Sequence, residues 1–158
     1  MEPQLKPSNR ASVVGIIPPQ SATTVQSTGW ILSTGFHNFL AIVQSGAITA
    51  SGLIDAKIQQ ATSSGGAGAK AVYQNNNTSL AAKAITEWTA AANASSQALI
   101  NLRGEDLDIA NGFIYINFSI TPSVASAYIA GLLMGFDPRQ LSADNALNAA
   151  ASQVQVVY

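Results

Sequence analysis

The stretch from Asn111 to Ile120 constrains the fold of this chain most. Asn111-Gly112 is the dipeptide that best closes a tight β-turn. The residues after it separate by parity, with Phe113, Tyr115, Asn117 and Ser119 on one side and Ile114, Ile116, Phe118 and Ile120 on the other. A period of two with one fully apolar side is the mark of a half-buried strand. The turn signal predicts a hairpin in which Leu99 to Leu107 pairs with Phe113 to Ile120.

The rest of the chain from Trp30 onward repeats this grammar of short β-branched and aromatic runs between Gly, Ser, Asn and Asp. It predicts strands at Trp30–Leu32, Phe39–Gln44, Leu53–Ala61, Ala82–Trp88, Gln97–Arg103, Phe113–Thr121, Ser126–Met134 and Val154–Tyr158. In Leu53–Ala61 the residues Asp55, Lys57 and Gln59 alternate with Ile54, Ala56 and Ile58, which reads as a strand with one wet face. The stretches SSGGAGA (63–69) and QNNNTS (74–79) read as polar loops. Helix is expected to be scarce, although Leu80–Ala94 and Ala143–Ala151 are rich in alanine.

At 158 residues the chain fits one domain. The expected fold class is all-β, an antiparallel β-sandwich with jelly-roll-like features. Residues 1–28, rich in Pro, Ser, Thr and Gln, are expected to form an extended arm rather than a core strand, because Pro18 and Pro19 stop the apolar island Val13, Val14, Ile16 and Ile17. The sandwich is expected over 29–140, and 141–158 is expected to be a C-terminal tail with an added strand.

Composition narrows function mainly by exclusion. Only 9% of residues are charged, against roughly 25% in an average soluble protein. So little charge suggests a surface largely covered by partners. Seven basic and eight acidic residues lie scattered along the chain, which argues against direct nucleic-acid binding. Zero cysteines exclude disulfides and thiolate metal sites, and one histidine excludes a multi-histidine site. The first fifteen residues contain Glu2, Pro3 and Pro7 and no apolar core, so no signal peptide is expected. No run approaches the length of a membrane span. Synthesis in a host cytoplasm is the expectation.

Catalytic constellations are equally scarce. His37 lies in GFHNF between aromatic residues and reads as a packed or capping residue. Glu105, Asp106 and Asp108 could supply oxygen ligands to a hard cation, yet no calcium-loop spacing is present and Arg103 offers a local counter-charge. Asp137-Pro138-Arg139 reads as a strand terminator, with Arg139 placed to meet a carboxylate on a partner. Gly65, Gly66 and Gly68 do not form a phosphate loop, because no Gly-Lys-Ser/Thr follows. The aromatic residues Trp30, Phe36, Phe39, Trp88, Phe113, Phe118, Tyr128 and Phe136 are expected in the core, with Tyr73 and Tyr115 as the exceptions. No enzyme and no cofactor are expected.

At LIDAKIQQAT (53–62), ALINLRGEDLDIANGFIYINF (98–118) and LLMGFDPR (132–139) the chain resembles a family of small tailed-bacteriophage auxiliary head proteins. The resemblance spans about residues 28–140. It implies a β-sandwich or jelly-roll that decorates or cements a capsid, with the major capsid protein as partner and the virion as location. A tail or baseplate component, or a carbohydrate-binding module, remains the alternative. Self-association as a trimer or dimer is also expected. The residues expected at partner interfaces are Val13, Val14, Ile16 and Ile17 in the arm, Arg139, and Val154, Val156 and Tyr158 in the tail, the tail adding a strand to an exposed sheet edge.

Overall fold

A computed structural model of the chain describes residues 7–139, and the strand expected at Val154–Tyr158 lies outside them. The protein is an antiparallel β-sandwich of two sheets. Ten strands follow in chain order: β1 Ala11–Ala22, β2 Gln26–Ser27, β3 Ile31–Leu32, β4 Phe36–Ile48, β5 Leu53–Ala61, β6 Lys70–Ala71, β7 Trp88–Thr89, β8 Gln97–Arg103, β9 Tyr115–Ser123 and β10 Ala127–Pro138. Among the described residues a single short α-helix, α1, covers Ala90–Asn93. The first sheet has the order β1-β10-β4-β8. In the second, β9 and β5 form the centre, with β2 and β3 beside β9 and with β6 and β7 beside β5.

The core fills the space between the sheets. Ala41, Val43, Ile129 and Leu133 from the first meet Ile54, Ile58, Ile116, Phe118 and Ile120 from the second. Two glycines of β10 give aromatic rings room, one from the facing sheet and one from the neighbouring strand β4. A Cβ on Gly131 would lie 2.7 Å from Cε1 of Phe118, and one on Gly135 would lie 2.5 Å from the Phe36 ring. These glycines are there for want of room, so that large aromatic rings can lie against bare backbone.

Two expectations are corrected. The described part of the expected arm is not an arm: from Ala11 the chain is a twelve-residue edge strand paired antiparallel with β10. Val14 and Ile17 are buried in the protein's own core. Pro18 and Pro19 are tolerated because an edge strand donates on one side only, and they fall in the interval between Ile17 and Gln20 where the register shifts.

The hairpin at Asn111-Gly112 does not form either. β8 pairs with β4 in the first sheet, whereas β9 pairs with β5 in the second. Residues 104–114 instead cross from one sheet to the other through two 3₁₀ turns, Gly104–Asp106 and Ile109–Asn111. Gly112 still uses its left-handed freedom, with φ of 81°, to end the second turn. The local turn was correctly signalled, but the partner of each strand was decided by burial at long range. Ala82–Trp88, expected as a strand, runs along β5 through isolated pairing, with Ile85 N–H donating to the Ala56 carbonyl at 2.9 Å. Only its end is regular strand.

Candidate functional site

The acidic stretch was one candidate. Asp106 is 1% exposed, and its carboxylate accepts hydrogen bonds from the backbone N–H of Asn75 at 2.7 Å and of Arg103 at 2.8 Å. Nζ of Lys83 lies 3.0 Å from its second oxygen. Burial pushes this carboxyl up, but the two N–H groups and the Lys83 ammonium together hold it below the usual carboxylate range. Asp108 accepts from Lys70 Nζ at 2.6 Å and from Asn111 Nδ2 at 2.8 Å, and these bonds, Lys70 first, hold it low as well. Its own N–H donates to Oε1 of the buried Gln60 at 2.8 Å.

These bonds give the acids an internal task. Asp106 and Asp108 tie the crossover 104–114 to the loops carrying Lys70, Asn75 and Lys83, so that carboxylates compensate lysines and N–H groups which sheet ladders do not reach. Glu105 pairs with Arg103 at the surface, at 2.8 Å. Among the described residues, no group of three or more His, Asp or Glu side chains could share a metal ion. His37 is exposed, so of the packed and capping places expected for it the packed one does not hold.

The outer face of the first sheet is the stronger candidate. Strand register lines up Val13, Met134 and Leu40 in one row, and Ile16, Leu132, Ile42 and Leu99 in the next. Each of these residues has the parity opposite to the core-facing set, so its side chain stands on the far side of the sheet from the sandwich interior. All are partly or wholly exposed, Leu99 by 62%. Phe136 extends the apolar area at one end, beside Asn38 and Arg103, and Gln44 and Gln97 close it at the other.

An antiparallel sheet needs only one apolar face to make a sandwich, and its second face is ordinarily wet. Here both faces of β4 and β10 are apolar. With twelve residues in β1 and in β10, at about 3.3 Å per residue and four strands about 4.8 Å apart, the face measures at most about 750 Å². A standard interface covers about 800 Å² per partner. The whole face stays just within that size, and its two apolar rows give it the chemistry of a docking surface.

The residues expected at interfaces divide. Val13 and Ile16 stand on this face, while Val14 and Ile17 are core. Arg139 is exposed, but its Nε donates to the Phe36 carbonyl at 3.3 Å, which holds the end of β10 against the start of β4. Val154, Val156 and Tyr158 lie outside the described residues. Tyr128, expected in the core, is 58% exposed at the margin of the face. Leu40, Ile42, Leu99, Leu132, Met134 and Phe136 were missed by sequence reasoning. Their signal was present in FLAIV (39–43) and IAGLLMGF (129–136), apolar at both parities, as a strand covered on both sides must be.

Comparison with protein-family models, with curated proteins and with solved structures finds no match to this chain.

Proposed function

We propose that this protein is a non-catalytic structural subunit of a tailed-phage virion, which decorates or cements the shell by laying the outer face of its four-stranded sheet on the major capsid protein. The observation that carries the reading is that face: two apolar rows standing outside a sandwich whose core is already complete without them. The scarcity of charge agrees with a subunit whose surface is largely covered. The resemblance at LIDAKIQQAT, ALINLRGEDLDIANGFIYINF and LLMGFDPR supplies the kind of assembly.

The mechanism is linkage. A subunit that binds only the assembled shell stabilises it by RT ln(1 + [L]/Kd), about 2.7 kcal/mol per site at a hundredfold excess over Kd. Bridging two capsomers makes rupture of the shell also break these contacts. Because β1 belongs to the sheet, removal of residues 1–17 would damage the domain itself and would not be a clean test of attachment.

The test is cryo-electron microscopy of purified particles from the source. Density for this chain at capsomer junctions, with the four-stranded sheet facing the shell, is the expected result. Density confined to the tail, or none, would overturn the assignment to the shell.

A further inference from the structure

Strand β8 is the one long, uninterrupted sheet edge among the described residues. β1, at the opposite edge of the same sheet, carries Pro18, Pro19 and two register shifts. The edges of the second sheet are strands of two residues. Pro, bulges and short strands are the devices by which proteins keep edges from pairing. β8 has none of them. It pairs with β4 in unbroken register from Gln97 to Arg103, and its sole charge, Arg103, stands at the end.

The direction of its backbone groups follows from two bonds. The Ser96 carbonyl accepts from Ser45 N–H at 2.9 Å, toward β4. Arg103 N–H donates instead to the Asp106 carboxylate at 2.8 Å. Antiparallel strands alternate the side to which successive residues bond. Ala98, Ile100 and Leu102 therefore bond to β4, and the N–H and C=O groups of Gln97, Leu99 and Asn101 point out of the sheet. An open groove lies beside this edge, between Ala98–Asn101 and the segment that carries Ile85 and Trp88.

We propose that β8 pairs antiparallel with β8 of a second copy of this chain, about a two-fold axis through Leu99. In this register Leu99 faces Leu99 of the second copy, and Gln97 faces Asn101 in both directions. Each facing pair exchanges both backbone hydrogen bonds, so all three outward residues are satisfied. Both amide side chains meet an amide, no like charges face each other, and the most exposed leucine of the apolar face is covered by its own mate. A one-residue slip would put inward-bonded Ala98 or Ile100 opposite an outward-bonded residue and lose the ladder.

The product is one continuous eight-stranded sheet with the apolar faces of both copies on a single side. The inference extends the assembly reading by naming a first partner. Its test needs no particle, so failure here and failure of shell attachment are separate results.

The chain has no cysteine, so a single one is a clean reporter. Leu99→Cys should be captured as a dimer by a short bis-maleimide crosslinker, because facing residues of a bonded pair sit about 5.5 Å apart. Val124→Cys, 77% exposed in the turn after β9, should not be captured. Leu99→Lys should raise the dimer dissociation constant in sedimentation equilibrium at least tenfold, with an unchanged circular dichroism spectrum. Capture of both cysteine variants to the same extent, a dimer indifferent to Leu99→Lys, or a monomer throughout the concentration range would each overturn the proposal.

Discussion

The outer faces of the two sheets are both built on an antiparallel central pair, β4 with β10 and β5 with β9, yet their chemistry is opposite. On the second sheet, Asp55, Lys57 and Gln59 of β5 stand beside Asn117, Ser119 and Thr121 of β9. On the first, the corresponding positions are Leu40 and Ile42 of β4 and Leu132 and Met134 of β10. The ion pairs of Lys83 with Asp106 and Lys70 with Asp108 join the loops of the second sheet to the crossover, while Arg103 and Asp137 stand at one end of the first sheet. Water is the natural neighbour of one face, and another apolar surface the natural neighbour of the other. The contrast teaches that the sandwich core uses only about half of the apolar residues in the first sheet, and that the other half stands on the outer face proposed to dock.

If charge in the second half is structural, removing it should destabilise the domain. Asp106→Asn leaves Lys83 beside a neutral amide at a site with almost no access to water. It should lower unfolding free energy by about 3 kcal/mol in urea titration. A change below about 0.5 kcal/mol would mean that the network is ornamental. The pH dependence has a definite sign. Asp106 and Asp108 are both held below the ordinary carboxylate range, so their contribution is fully present above about pH 4, near the unfolded pKa, and is lost as pH falls through the folded values. The acid limb of the stability curve should be shallower in Asp106→Asn than in the parent chain.

The next test places charge on the apolar face. Leu132→Asp, at the centre of the row Ile16, Leu132, Ile42, Leu99, should weaken attachment to particles by about a hundredfold, or about 2.7 kcal/mol. Thr121→Asp on the opposite face should leave attachment unchanged. Co-sedimentation with particles measures both. Equal losses would erase the distinction between the faces, and the melting temperature of each variant separates lost binding from lost folding.

Much of this was legible in the sequence, but unevenly. β5 and β8 occupy Leu53–Ala61 and Gln97–Arg103, the limits that the apolar runs predicted, because each run is bounded by turn residues and alternates cleanly. The polar face of β5 was equally plain from Asp55 and Lys57. β1 was not legible, since prolines argue against a strand unless it is known to lie at an edge, which is a tertiary fact. The crossover at 104–114 was misread because Asn111-Gly112 signals a turn without saying which strands it joins. Its course depends on Asp106 capturing N–H groups of Asn75 and Arg103, a contact that spans 31 residues to Asn75. The apolar face was visible only as the loss of alternation in FLAIV and IAGLLMGF, and which residues share a row required the register.

The smallest expected effect gives the comparison its finest test. Asp55 and Lys57 are exposed and sit opposite Thr121 and Ser119, two residues apart on the same strand and face. Exposed charges of this kind contribute little in water, and surface substitutions away from special backbone sites stay within about 0.5 kcal/mol. Lys57→Gln should therefore leave the urea midpoint within error and leave particle attachment intact at any salt concentration. Leu132→Asp and Lys57→Gln alter charge by the same amount in opposite halves of one domain, so the ratio of their effects on attachment measures the asymmetry directly. If removing Lys57 weakened attachment, and high salt weakened it further, the wet face would be the one that meets the shell, through charge rather than apolar burial.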